Sequence, residues 1–243
     1  MEESVSAVMR GLGQNAAGRS DDLYREQLHE RRGKADRMFA VLMVAQWAFA
    51  VALALLVSPY AWAGKTREFH PHLLAAIFMG GGIALFPVLL ATFRPGQLLT
   101  RHVIVASQML WSALFIHLTG GRIETHFHVF GSLAFVAFYF DWGVIATATV
   151  VVAADHLIRG LLYPESVYGI PNPEWWRFLE HAGWVVFEDV VLVWFCLSGL
   201  KEIKAVAARQ AQVEALKESG DAKTAALEMV LREIQPSLAG GAS

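Results

Sequence analysis

The chain has 243 residues, 55% of them hydrophobic and 17% charged, with a net charge of −2. That balance gives no sign of a nucleic-acid binder, which needs a basic face, and it is too apolar for an ordinary soluble domain, where about a quarter of residues are charged. Cys196 is the only cysteine, so an intramolecular disulfide is excluded as well.

The apolar excess is confined to the middle of the chain. Residues 1–37 read as a cytoplasmic amphipathic segment, 38–200 as a transmembrane domain, and 201–243 as a cytoplasmic helical or coiled-coil tail. The first apolar stretch begins after about forty polar residues, too late for a cleaved signal peptide, so it is expected to remain as an anchor. A helix needs about 20 apolar residues to cross the hydrocarbon. Phe39–Val57 supplies the first span, and His72–Phe93, opened by Pro71, supplies the second. Gly80, Gly81 and Gly82 in the second allow close helix packing. His102–Leu118 is the third, and His126–Phe140 is a short fourth that leans on Trp142. Val144–Leu162 is the fifth, and Leu179–Leu200 the sixth, after a connector holding Pro171, Pro173, Trp175 and Trp176. A re-entrant fourth segment would reverse every later one. Phe127, Phe130, Phe135, Phe138 and Phe140 read as core and lipid-facing bulk. The expected fold class is an all-α membrane protein, six transmembrane helices with a cytoplasmic C-terminal signalling helix.

Orientation follows the positive charges of short flanks. Arg25, Arg31, Arg32, Lys34, Arg37, Arg94, Arg101, Lys201 and Lys204 fall on one side of six crossings. Lys65, Arg67, Arg122 and Arg177 form a thinner set on the other. Both termini are therefore expected in the cytoplasm. Tyr60, Trp62, Tyr163, Tyr168, Trp175 and Trp176 then make an outer aromatic belt.

This topology sorts the histidines. His29 and His102 fall at the inner face, and His70, His72, His117, His126, His128, His156 and His181 at or near the outer one. Imidazoles near hydrocarbon are costly and mark function by default. His117, His126, His128, His156 and His181 come from four segments onto one layer and are the expected metal ligands. Neutral imidazole suits Zn, Cu or Fe. Haem b is the alternative, with Gly131 and Gly183 making room. Glu124, Asp155, Arg159 and Glu188 are expected as groups that orient the imidazoles or as alternate ligands. On a regular helix His126 and His128 point about 200° apart and cannot share an ion. Either His126 lies just outside the helix and both bind, or only one does.

A ligand-free polar network is the competing reading. Asp155 and Arg159 are spaced to neutralise each other, and Glu188 and Asp189 are candidates to pair with Arg159. His70-Pro71-His72 reads as an ordinary loop.

After Leu200 the composition favours helix. Val206, Val213, Leu227 and Ile234 keep a seven-residue spacing, with Gly220 in the missing slot. That pattern supports a short parallel coiled coil, hence a homodimer through the C-terminal helix. One unbroken helix from about Leu179 to about Glu218 is expected, with Gly199 as its weak point.

The stretches His117-Leu-Thr-Gly-Gly-Arg-Ile-Glu-Thr-His-Phe-His-Val-Phe-Gly-Ser-Leu-Ala-Phe135, Ala-Asp155-His-Leu-Ile-Arg-Gly160 and Glu180-His-Ala-Gly-Trp184 resemble the N-terminal transmembrane input module of bacterial sensor histidine kinases and related signalling proteins, over about residues 25–210. The resemblance implies a membrane sensor joined by a helix to a cytoplasmic output. No phosphoacceptor box or nucleotide-binding segment follows, so the chain is expected either to signal through a kinase or other cytoplasmic partner or to be an input domain separated from its output, and no catalytic residue is assigned. The readings set against this one are a membrane metalloenzyme with an open metal position and, further off, a small metal or proton transporter.

Overall fold

The computed structural model describes residues 2–58, 60–63 and 66–240; Lys65, one of the outer charges above, lies outside them. Helix α1 is Glu2–Val57, α2 is Pro71–Phe93, α3 is Leu98–Leu118 and α4 is Ile123–Val136. Helix α5 is Trp142–Leu162, α6 is the single turn Glu165–Tyr168, and α7 is Arg177–Gly240. Among the described residues, five helices are long and apolar enough to cross a membrane: Ala16–Val57 within α1, α2, α3, α5 and Arg177–Met229 within α7.

The fourth expected span is not one of these. Helix α4 has 14 residues, about 21 Å of rise against roughly 30 Å of hydrocarbon. One 3₁₀ turn, Ala137–Tyr139, extends it and ends on Phe140 with φ 48°. The chain stops there because Asp141 caps the next helix, accepting the Gly143 N–H at 3.0 Å. Five of the six expected spans are thus long helices, and the fourth, expected to be short, is the 14-residue α4.

The all-helical expectation also has an exception. Tyr60–Ala63 (β1) and Thr66–Phe69 (β2) pair antiparallel, with Tyr60 opposite Phe69. Their rings stack at 5.9 Å between centroids, the kind of cross-strand aromatic pair that steadies a two-stranded ribbon.

The residues divide into two compact units: one runs to Leu28 and resumes at Lys201, and the other is His29–Leu200. In the first, Leu23, Ala207 and Ala211 form a small core with Tyr24 against it. Arg19 Nε donates to Glu214 at 2.8 Å and Gln27 to Gln210 at 3.1 Å. Val206, Val213 and Leu227, the expected coiled-coil positions, are exposed, while Ile203, Ala207 and Ala211 are buried. The side chain of Ile234 lies outside the described residues.

In the second unit α3 is the most buried long helix and packs against α2, α4 and α5. Its Ile104, Met109, Trp111 and Ile116 are sealed from solvent. The glycines of α2 explain how α1 and α3 come close to it. A Cβ on Gly80 would stand 3.0 Å from Trp47 Cδ1 and 3.1 Å from Trp111 Cη2. Just before it, Ala75–Met79 forms a π-helical turn. Such a turn leaves carbonyls poorly matched, and the Trp47 indole N–H donates to the Ile77 carbonyl at 3.1 Å.

One end of this unit is locked by buried polar pairs. Asp36 is fully buried and accepts from the Gly96 N–H at 2.6 Å and the Tyr139 hydroxyl at 2.7 Å. Arg101 Nε donates to Asp141 at 2.8 Å. His102 sits at the same end, bonded to Thr147 at 2.8 Å. His117 closes α3 at the other end, fifteen residues or about 22 Å along the axis.

Candidate functional site

Three of the expected histidines meet. His126 in the first turn of α4, His156 in the last turns of α5 and His181 in the first turn of α7 form a triangle of rings. Their centroids stand 5.6 Å (126–156), 5.3 Å (126–181) and 6.0 Å (156–181) apart. The helices impose a common orientation on them. Each Nδ1 lies on the carbonyl four residues back: His126 on Arg122 at 2.9 Å, His156 on Val152 at 3.0 Å, His181 on Arg177 at 2.8 Å. A carbonyl only accepts, so Nδ1 carries the proton in all three rings and the neutral ring keeps its lone pair on Nε2.

His126 and His156 are buried, at 5% and 6% exposure, and His126 Nε2 has no hydrogen-bond partner. The rings face a cavity of about 150 Å³ whose other walls include Val129, Phe130, Val152, Phe178 and Val185. A buried acceptor without a partner costs roughly 1–3 kcal/mol. Among the described residues no three His, Cys, Asp or Glu side chains stand converged as a metal-binding set. The three rings are neighbours, but they are not placed to ligate one ion as they stand.

His128 is elsewhere. Because α4 is already helical from Ile123, the i,i+2 spacing turns His128 to another face. Its Nε2 meets the Gln46 amide at 3.0 Å and its Nδ1 the Ser112 hydroxyl at 2.8 Å. Both nitrogens are hydrogen-bonded there, so His128 does not join the triangle. His117 is separated too: its Nδ1 lies 2.8 Å from Ser166 Oγ, and its ring neighbours His72 at 5.0 Å. Neither Ser166 nor His72 was a sequence candidate; the His70-Pro71-His72 spacing was the available signal.

The charged candidates divide likewise. Asp155 accepts from two Arg159 nitrogens, Nε at 2.7 Å and Nη2 at 2.5 Å, and its Oδ2 lies 3.4 Å from His156 Nδ1. Arg159 Nη1 continues to Ser166 Oγ at 2.8 Å. Glu124 is exposed and paired with Arg122 at 3.4 Å, away from the triangle. The proposed pairing of Glu188 and Asp189 with Arg159 is corrected: Asp189 accepts from Thr149, and Glu188 Oε2 is buried without a partner. Glu188 does share a face with His181 and Trp184, and the three line a larger groove of about 830 Å³ that also touches His126.

No family model matches the chain, and no solved structure matches it. Part of it is similar to the transducer protein Htr8 of Halobacterium salinarum (strain ATCC 29341 / DSM 671 / R1), 31% identical over 126 residues. That stretch is 49% of this chain and 19% of the transducer's length. The similarity is distant and covers less than a fifth of the transducer's length.

Proposed function

We propose that this chain is the membrane-embedded input part of a signalling protein, in which His126, His156 and His181 hold a transition metal ion and α7 carries its state to a cytoplasmic output. The observation that carries the reading is the shared orientation of three imidazoles: every Nδ1 is held by a backbone carbonyl, and His126 Nε2 is buried without a partner. Metal-bound histidines characteristically donate their other N–H in this way. Imidazoles bound to one ion at about 2.0–2.1 Å have ring centres roughly 5–5.5 Å apart. Two sides of the triangle are within a few tenths of an ångström of that spacing, so small side-chain shifts close it.

Large apolar side chains on the outward faces, among them Phe78, Phe86, Phe93, Leu161, Leu162 and Trp194, support a bilayer around His29–Leu200. With the short α4 counted as a crossing, both termini are cytoplasmic and the histidines near the outer face, the arrangement the flanking charges favour. Output follows α7, which bears His181 and runs helical from Arg177 to Gly240. The exposed Val206, Val213 and Leu227 are the surface through which a second copy pairs in a parallel coiled coil, with a kinase or other output protein beyond.

A specific observation favours haem as the second reading: the groove beside His126 and His181 is about 830 Å³ and is flanked by Arg177 and Trp184, within the range of pockets for sizeable cofactors. A haem takes at most two of the three imidazoles, which leaves the third unexplained. An absorption spectrum of the purified chain with elemental analysis decides between them. A bare ion without a Soret band supports the first reading; a Soret band supports the second.

A further inference from the structure

Outside that triangle, the other outer histidines form a second group. His70 is the N-cap of α2 with extended backbone, φ −65° and ψ 140°. In that conformation residues two apart can converge, which a helix forbids. His70 and His72 do so, with ring centroids 4.3 Å apart, and His117 from the end of α3 closes on His72 at 5.0 Å. His72 Nδ1 is buried with no hydrogen-bond partner. His117 spends Nδ1 on Ser166, which leaves Nε2 as its free nitrogen. His70 Nδ1 accepts the His72 backbone N–H at 3.1 Å.

We propose that His70, His72 and His117 form a second transition-metal site, separate from the His126–His156–His181 triangle. Imidazoles at right angles on one ion have ring centres about 4.5 Å apart at ordinary ligation distances. The two spacings here bracket that figure, which favours the tetragonal ions, Cu²⁺ or Ni²⁺. His72 and His117 supply the other two donors after side-chain adjustment, since the three rings do not converge as they stand. His70 joins them by giving up its cap on α2, so occupancy changes how that helix begins. The two sites are also linked. His117 meets Ser166, Ser166 accepts from Arg159, Arg159 holds Asp155, and Asp155 Oδ2 lies 3.4 Å from His156. Filling the second site therefore bears on the orientation of a ligand in the first.

The test uses the full chain in detergent and Cu²⁺ as the probe, read by equilibrium titration and by nitrogen hyperfine structure in electron paramagnetic resonance. His156→Gln removes the triangle. In that background one Cu²⁺ per chain is expected to remain, with coupling to at least two imidazole nitrogens. Adding His72→Gln or, separately, His117→Gln is expected to weaken that ion by about tenfold or more. Adding His102→Gln, at the opposite end, leaves it unchanged. Two single changes in different helices guard against one that merely disturbs folding, and melting temperature checks each. Equal Cu²⁺ affinity with and without both His72 and His117, or no bound Cu²⁺ in the His156→Gln chain, overturns the proposal. Wild type and His156→Gln binding the same one ion with His72 and His117 coupled sinks the triangle and leaves this site standing.

Discussion

His126 and His181 hold their rings 5.3 Å apart although 55 positions separate them in the chain, and each donates its Nδ1–H to the backbone carbonyl four residues earlier. The relationship joins the start of the short helix α4 to the start of the long helix α7. An ion between these rings stabilises the packed arrangement over any in which the two helices part. At a hundredfold excess over Kd, one such ion adds about 2.7 kcal/mol. A chelator is expected to lower the melting temperature of the wild type more than that of His126→Gln or His181→Gln. Acidification is expected to act like the chelator, because ligating imidazoles must be unprotonated.

His128 provides the contrast. It bridges Gln46 and Ser112 across three helices, so His128→Leu strands two polar groups at a cost of roughly 1–3 kcal/mol each. Denaturation in detergent should show that loss while metal content stays at the wild-type level. Loss of the metal in a folded His128→Leu chain would put His128 back in the ligand set.

Gly199 is a second place where sequence and structure part. It is no weak point in α7: a Cβ there would lie 2.2 Å from Phe140 Cε1, so the glycine exists for close approach. Gly199→Ala is expected to destabilise by about 1–3 kcal/mol through overpacking. Gly220→Ala, with nothing within 4 Å, should stabilise the helix slightly. Thermal melts of the two variants compare them directly.

Topology is checked by single-cysteine labelling. Asn172 is exposed in the connector before α7, and the native Cys196 is buried, so background labelling is low. A reagent that cannot cross membranes should label Asn172→Cys from outside intact cells. Labelling only after the cells are opened would reverse the orientation.

If α7 is the output route, its phase matters. One residue inserted near Ala205 turns everything downstream by about 100°. In a fusion to a kinase reporter the signal should change while metal content does not. An unchanged signal would leave the helix without a transmitting role.

The long helices were legible because apolar runs of sufficient length have few other uses. The short α4 was harder: its end depends on Phe140 taking a left-handed backbone and on Asp141 capping α5, neither of which hydropathy reports. His126, His156 and His181 stood out as imidazoles among apolar residues, and their depth followed from counting residues along helices. Separating His128 from them required knowing that α4 begins at Ile123, before both histidines. The partners of His117 were illegible, since Ser166 and His72 reach it only through the packing of α2, α3 and α6. The hairpin was missed because two four-residue strands carry little periodic signal, although Tyr60, Trp62, Thr66 and Phe69 are all good strand formers.

The most direct test of the three-imidazole centre compares tightly bound transition metal per chain, by elemental analysis with an absorption spectrum, in wild type and in His126→Gln, His156→Gln and His181→Gln. The account requires each variant to lose about one equivalent of ion relative to wild type, with no Soret band in any of them. Equal metal content in all four proteins, or a Soret band in the wild type, would contradict it.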